Sequence, residues 1–208
     1  MFAICVFGDS LVFGRGDNKD RGWVGRLRKY VETKDYYNAV YNLGVPGDST
    51  SELLERFETE CKARTQKYWP GDNSVIMIGI GANDSRAVDT PENVQTMPTI
   101  FEGNISRLIK ESKKYADKIV LIGLMPVDEQ ITNPYETTFF NNKCIEQYNK
   151  ILKKSCAKEK VLFIDIFDKF KGLNYVKLLD DGLHPNAKGY EKMYEIIKES
   201  LVKHKIIN

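Results

Sequence analysis

The sequence predicts a doubly wound α/β sandwich built on a parallel sheet. Five short runs rich in Val and Ile recur along the chain, each run is continuous rather than alternating, and amphipathic segments of helical period lie between them. A strand covered by helices on both faces has no polar face, so its apolar residues run unbroken. Strand and helix in strict alternation favour parallel strands joined by right-handed crossovers.

In chain order, the strand runs are FAICVF (2–7), AVYNL (39–43), SVIMIGI (74–80), KIVLIGL (118–124) and KVLFIDI (160–166). The first helix is expected over 23–31, with Trp23, Leu27, Tyr30 and Val31 on one face. The second spans 51–64 with Leu53, Leu54, Phe57 and Cys61, and the third spans 99–116 with Ile100, Phe101, Ile105, Leu108 and Ile109. The fourth covers 140–156 with Cys144, Ile145, Tyr148, Ile151 and Leu152, and the last covers 190–203 with Met193, Ile196, Ile197 and Leu201. Each set recurs at the helical period. In such sheets a site lies at the carboxyl ends of the strands, so the residues after each run matter most.

The 208 residues suit one domain spanning 1–208, with no linker, low-complexity tract or internal repeat. A net charge of +2 gives no overall attraction to nucleic acid or anionic membrane, and no basic stripe is interleaved with aromatics. No apolar run approaches the ~18 residues a membrane span needs. The N-terminus opens directly on Phe2 to Phe7 without a charged leader, and the four cysteines show no C-x-x-C spacing. These features point to free thiols, a reducing compartment and a cytoplasmic location.

Gly-Asp-Ser occurs twice, at 8–10 and 47–49. Ser10 follows the first strand, where either a nucleophile or a turn serine capping a short helix fits. Ser49 opens STSE, an S-x-x-E capping box ahead of Leu53, Leu54 and Phe57, so it is expected at a helix N-cap. Gly47 lies on the turn entering that helix, where backbone N–H groups favour negative charge, and is a candidate oxyanion donor. No G-x-S-x-G elbow is present.

A serine hydroxyl needs a base. Only His184 and His204 exist, and His204 sits in the polar C-terminal end. His184 lies in LLDDGLHPN, with Asp181 three residues earlier. One turn would bring carboxylate and imidazole together, while a helix start at His184-Pro185-Asn186 with Asp181 as a turn residue fits equally. After the third strand, GIGAND lacks the third glycine of a dinucleotide fingerprint. Asn83 there is a second candidate oxyanion donor.

Four blocks thus stand in order: GDSL, NLGVPGDST, GAND and DGLHPN. Together they resemble the GDSL family of the SGNH hydrolase superfamily. The resemblance covers most of the chain and shows no departure at these blocks. It implies a flavodoxin-like three-layer α/β/α sandwich with about five parallel strands. It implies Ser10 as nucleophile, His184 as general base and Asp181 as its acid partner, with Asp181 favoured over Asp180 by D-x-x-H spacing. The oxyanion hole would comprise the Ser10 amide, the Gly47 amide and the Asn83 side chain. Asp9 and Asp84 would be structural, bonded to loop backbone. The implied activity is serine esterase or lipase chemistry on a small-molecule acyl ester or thioester, without cofactor, metal, nucleic acid or stable membrane insertion. Acyl transfer and sugar O-deacetylation are the alternatives on the same scaffold. Substrate choice would rest with the loops 85–98 and 125–140. Tyr135, Phe139 and Phe140 of the second loop would line an acyl pocket, form a lid or pack the following helix.

Overall fold

The computed structural model describes residues 2–65 and 71–207. Its elements in order are β1 (Phe2–Gly8), α1 (Ser10–Phe13), α2 (Gly22–Glu32), β2 (Ala39–Gly44), α3 (Thr50–Arg64), β3 (Asn73–Gly79), β4 (Ala87–Val88), α4 (Pro98–Ser112), β5 (Lys118–Ile122), α5 (Glu129–Thr132), β6 (Thr138–Phe139), α6 (Asn142–Glu159), β7 (Leu162–Ile164), α7 (Phe167–Lys171), a 3-10 turn (Tyr175–Leu178) and α8 (Ala187–Lys203). Five strands form one sheet in the order β2-β1-β3-β5-β7, every pair parallel. This is the α/β fold that the apolar runs predict.

Both faces of β1, β3 and β5 are covered, which is why their runs are continuous, whereas the edge strand β2 leaves Tyr41 and Asn42 exposed. Ile4, Val6, Val75, Met77, Val120 and Ile122 pack with Trp23, Leu27 and Val31 of α2 and Tyr190, Met193 and Ile197 of α8. The intervening residues Cys5, Phe7, Ile76, Ile78, Ile119 and Leu121 pack with Phe57 of α3, Ile105 and Leu108 of α4, and Tyr148 and Leu152 of α6. Strand side chains alternate between the faces, and each face meets a helical layer. Ile100 departs from the expected face and is 53% exposed. It sits about 100° around α4 from Phe101, on the stripe carrying Asn104 and Arg107, so Phe101 takes the core position.

The sheet places the site. β1 lies between β2 and β3, so connections leave it in opposite directions and a crevice opens at its carboxyl end. In register there stand Gly44, Gly8 and Gly79, side by side. A Cβ on Gly44 would come within 2.3 Å of Phe13 N, and one on Gly8 within 2.1 Å of Gly79 O and 2.4 Å of Val12 Cγ2. The single-turn helix α1 therefore rests directly on the backbone of three strands, and side chains at these positions would lift it.

The segments after β3 and β5 do not behave as separate loops. β4 and β6 pair antiparallel, Ala87 opposite Phe139 and Val88 opposite Thr138. Phe140 is buried in the core and Phe139 is half-buried, whereas Tyr135 is 60% exposed. Among the described residues no helix is long and apolar enough to cross a membrane. Cys5, Cys61, Cys144 and Cys156 are free.

Candidate active site

Ser10 is the first residue of α1. Asp9 precedes it as N-cap and accepts Leu11 N–H at 2.9 Å, while Gly14 closes the turn with φ +92° and donates to Ser10 O at 3.0 Å. The serine is thus held on a stiff turn at the sheet edge. As the first helical residue it has no intrahelical acceptor for its own N–H.

The Ser10 Oγ lies 2.8 Å from His184 Nε2, and His184 Nδ1 lies 2.7 Å from Asp181 Oδ2. Ser10 and His184 are each only 8% exposed. The carboxylate is an acceptor and so favours the neutral-ring tautomer with its proton on Nδ1, in which Nε2 can accept the Ser10 O–H. Asp181 Oδ1 also accepts the backbone N–H groups of His184 at 2.7 Å and Leu183 at 3.0 Å. Partial burial would raise the Asp181 carboxyl, but the bonds from the His184 side chain and backbone outweigh it and hold it well below the usual carboxylate range. The neighbouring Asp180 makes no such contact with the ring; its backbone N–H donates to His184 O at 2.7 Å. The loop turns at Gly182, φ +86°, and Asp128 N–H donates to Gly182 O at 2.8 Å, tying the 125–140 segment to the histidine loop. Asn186 then N-caps α8, so a helix start and a carboxylate–imidazole pair coexist in this stretch.

Val45-Pro46-Gly47-Asp48 forms a tight turn, with Asp48 N–H donating to Val45 O at 3.2 Å and Gly47 at φ +93°. Proline second and a positive-φ glycine third is the pattern a type II turn requires. A Cβ on Gly47 would meet nothing within 4 Å, so this turn faces open space. Asn83, in the loop after β3, donates from Nδ2 to Asp48 O at 3.0 Å. That bond uses one of its two amide hydrogens and fixes the direction of the other.

Asp84 accepts from Thr50 N at 3.0 Å and Thr50 Oγ1 at 2.6 Å, locking the β3 loop to the start of α3. Burial pushes its carboxyl up, opposed by those Thr50 bonds. Asp9 is fully buried, and burial pushes its carboxyl up to about 7, against the pull of the Leu11 N–H and of His184.

The second Gly-Asp-Ser does other work. Ser49 Oγ accepts from Ser51 N at 3.2 Å, Glu52 reaches back to Ser49 N at 2.9 Å, and the Ser49 hydroxyl is bonded to the same carboxylate. This is the capping box that STSE predicts. His204 is exposed, its Nδ1 2.8 Å from Ser200 O. Asp48 lies within the second Gly-Asp-Ser, but its pairing with Arg56 carries no sequence signal, since no short-range motif links the two.

The model of the GDSL-like lipase/acylhydrolase family matches residues 6–192. The spore germination lipase LipC of Bacillus licheniformis is 30% identical over 205 residues, covering 93% of each chain. A lipase/acylhydrolase from Enterococcus faecalis superposes with a TM-score of 0.75 at 22% identity, over 97% of this chain and 95% of that one. The acetyl xylan esterase AlAXEase gives 0.76 at 19% identity, over 97% and 100%. The extent of the family match, on a chain whose four blocks meet at one sheet edge, shows that this protein belongs to the GDSL-like lipase/acylhydrolase family and is a carboxylic ester hydrolase of that type.

Proposed function

We propose that the protein is a serine acylhydrolase that cleaves a carboxylic ester or thioester of a small or short-chain acyl group through an acyl-enzyme. The observation that carries this reading is the unbroken series of contacts Ser10–His184–Asp181, at 2.8 and 2.7 Å. Ser10 Oγ attacks the carbonyl carbon as His184 Nε2 takes its proton. The carbonyl π electrons move to oxygen, and the oxyanion is held by the Ser10 and Gly47 amides and the second Asn83 amide hydrogen. Asp181 holds the imidazole in the productive tautomer and stabilises the imidazolium. Collapse breaks the bond to the leaving oxygen or sulfur, which receives the proton from His184. Water, activated by the same nitrogen, then hydrolyses the acyl-Ser10 ester.

One feature supports a short acyl group: of the three aromatics of the 125–140 segment, Phe140 is buried in the core and Phe139 is half-buried, which leaves Tyr135 as the largely exposed one. The names of the relatives, a lipase and an acetyl xylan esterase, support ester cleavage. The free cysteines support a reducing, cytoplasmic compartment.

The test is release of p-nitrophenol from acetyl, butyryl and octanoyl esters by wild type, Ser10→Ala and Ser49→Ala. Ser10→Ala is expected to abolish release and Ser49→Ala to preserve it, with rates falling as the chain lengthens. Retained hydrolysis in Ser10→Ala sinks the reading.

A further inference from the structure

Arg56 stands on α3, away from the Ser10–His184–Asp181 contacts, yet its guanidinium reaches the floor of the site in two directions. Nε donates to Asp48 Oδ2 at 2.8 Å, and Nη2 donates to Gly8 O at 3.2 Å. Gly8 is the last residue of β1, two before Ser10, and its carbonyl also accepts Val45 N–H at 2.9 Å. Asp48 directly follows Gly47, and its own carbonyl is the acceptor that orients Asn83. One side chain therefore joins the strand end that carries Ser10, the turn that carries Gly47 and the residue that aims Asn83.

We infer that Arg56 is a positioning residue of the oxyanion hole, fixing the spacing of its three donors through Asp48 and the Gly8 carbonyl. This rests on the oxyanion roles proposed above. Two observations set it apart from an ordinary stabilising ion pair. The start of α3 is already secured by the Ser49–Glu52 capping box and by the Asp84–Thr50 bonds, so the helix needs no further anchor. The pair is largely shielded, with side-chain exposures of 20% and 11%, so its geometry is firmly held. The fork of the guanidinium spans both acceptors at once, which a lysine ammonium does not reproduce. There is an electrostatic part as well. An unpaired Asp48 carboxylate beside Gly47 and Asn83 would oppose a developing oxyanion, and the guanidinium offsets it.

The experiment measures p-nitrophenyl butyrate hydrolysis by Arg56→Gln, Arg56→Lys, Asp48→Asn and Arg56→Gln/Asp48→Asn, with Ser10→Ala and Asn83→Ala in parallel. Displacing donors without removing them is expected to lower kcat by on the order of 10–10²-fold with KM within about twofold, Arg56→Gln more than Arg56→Lys. Affinity for a boronic acid that forms a tetrahedral adduct on Ser10 should weaken by the same factor as kcat/KM, a response that mere loss of stability would not produce. Adding Asp48→Asn to Arg56→Gln should restore part of kcat by removing the unpaired charge. In the Asn83→Ala background the Arg56→Gln effect should shrink. If Arg56→Gln does not fold, Arg56→Lys and Asp48→Asn carry the same comparison. Folded Arg56 variants with kcat within about twofold of wild type, or an undiminished effect in Asn83→Ala, overturn the inference while leaving the proposed function intact. Hydrolysis surviving in Ser10→Ala, or full activity in Asn83→Ala, instead overturns the reading beneath it.

Discussion

Asp181 grips His184 twice: Oδ2 lies 2.7 Å from ring Nδ1, and Oδ1 accepts the backbone N–H of the same residue at 2.7 Å. Ring and main chain are thereby held by one carboxylate, so the imidazole has little freedom to turn away from Ser10. Asp181→Asn keeps the size of the side chain but removes the charge and the preference for Nδ1–H. It is expected to lower kcat by up to roughly 10⁴-fold. Steady-state kinetics check this, and a loss below tenfold would mean that other contacts hold the ring.

Asn83 is buried, and its amide is pinned by Asp48 O at 3.0 Å. Asn83→Ala should cost on the order of 10²–10³-fold in kcat with little change in KM, because the missing bond matters only once charge develops on oxygen. Separate determination of kcat and KM decides it: a rise in KM alone would place Asn83 in ground-state binding.

Two glycine-to-alanine changes should part company. Gly44→Ala puts a methyl 2.3 Å from Phe13 N and 2.8 Å from Asp9 O, both backbone atoms that cannot step aside without moving α1. It should reduce both stability and hydrolysis. Gly103→Ala, on the exposed side of α4 with nothing within 4 Å of the new methyl, should stabilise by about 0.5–1 kcal/mol and leave hydrolysis unchanged. Thermal melts and ester assays on both variants make the comparison, and an active Gly44→Ala would mean that α1 has room to shift.

Ser49→Ala removes the side-chain half of the capping box. The expected cost is ~1 kcal/mol, or roughly 2–4 °C in Tm for a chain of this size. Hydrolysis measured well below the new Tm should match wild type, and a specific loss of kcat would give Ser49 a part in the chemistry.

Asp9 sets a pH dependence of stability. Burial raises its carboxyl from 3.8 to about 7, so between those values the folded protein binds a proton that the unfolded chain releases. Stability should therefore fall as pH rises from about 4 to about 7 and level off above. Asp84 is also raised and acts in the same direction, whereas Asp181 is held low and acts oppositely, below the ordinary carboxylate range. Asp9→Asn can still cap Leu11 N–H, and should flatten the decline. Melting temperatures across this range test it, and a variant profile parallel to wild type would remove Asp9 as its source.

The sequence by itself determined what chain neighbours settle. Continuous Val- and Ile-rich runs announced strands covered on both faces, because a half-exposed strand would alternate. STSE announced the Ser49 cap, since its partners lie within one turn. Asp181 and His184 could be paired on paper for the same reason. Tertiary structure decided what strand order settles. Ser10 and His184 are 174 residues apart and meet because β1 lies between β2 and β3, where the crevice at its carboxyl end receives the loop that precedes α8. The β4–β6 pairing joins two segments that read as independent loops, since two-residue strands carry no periodicity. Ile100 fits an apolar helix pattern yet faces outward, because Phe101 beside it claims the core. The pairing of Asp48 with Arg56 has no local signature. Their meeting with Gly8 and Asn83 comes from three strand ends brought side by side, a juxtaposition that hydrogen bonding across the sheet creates and that no short-range pattern encodes.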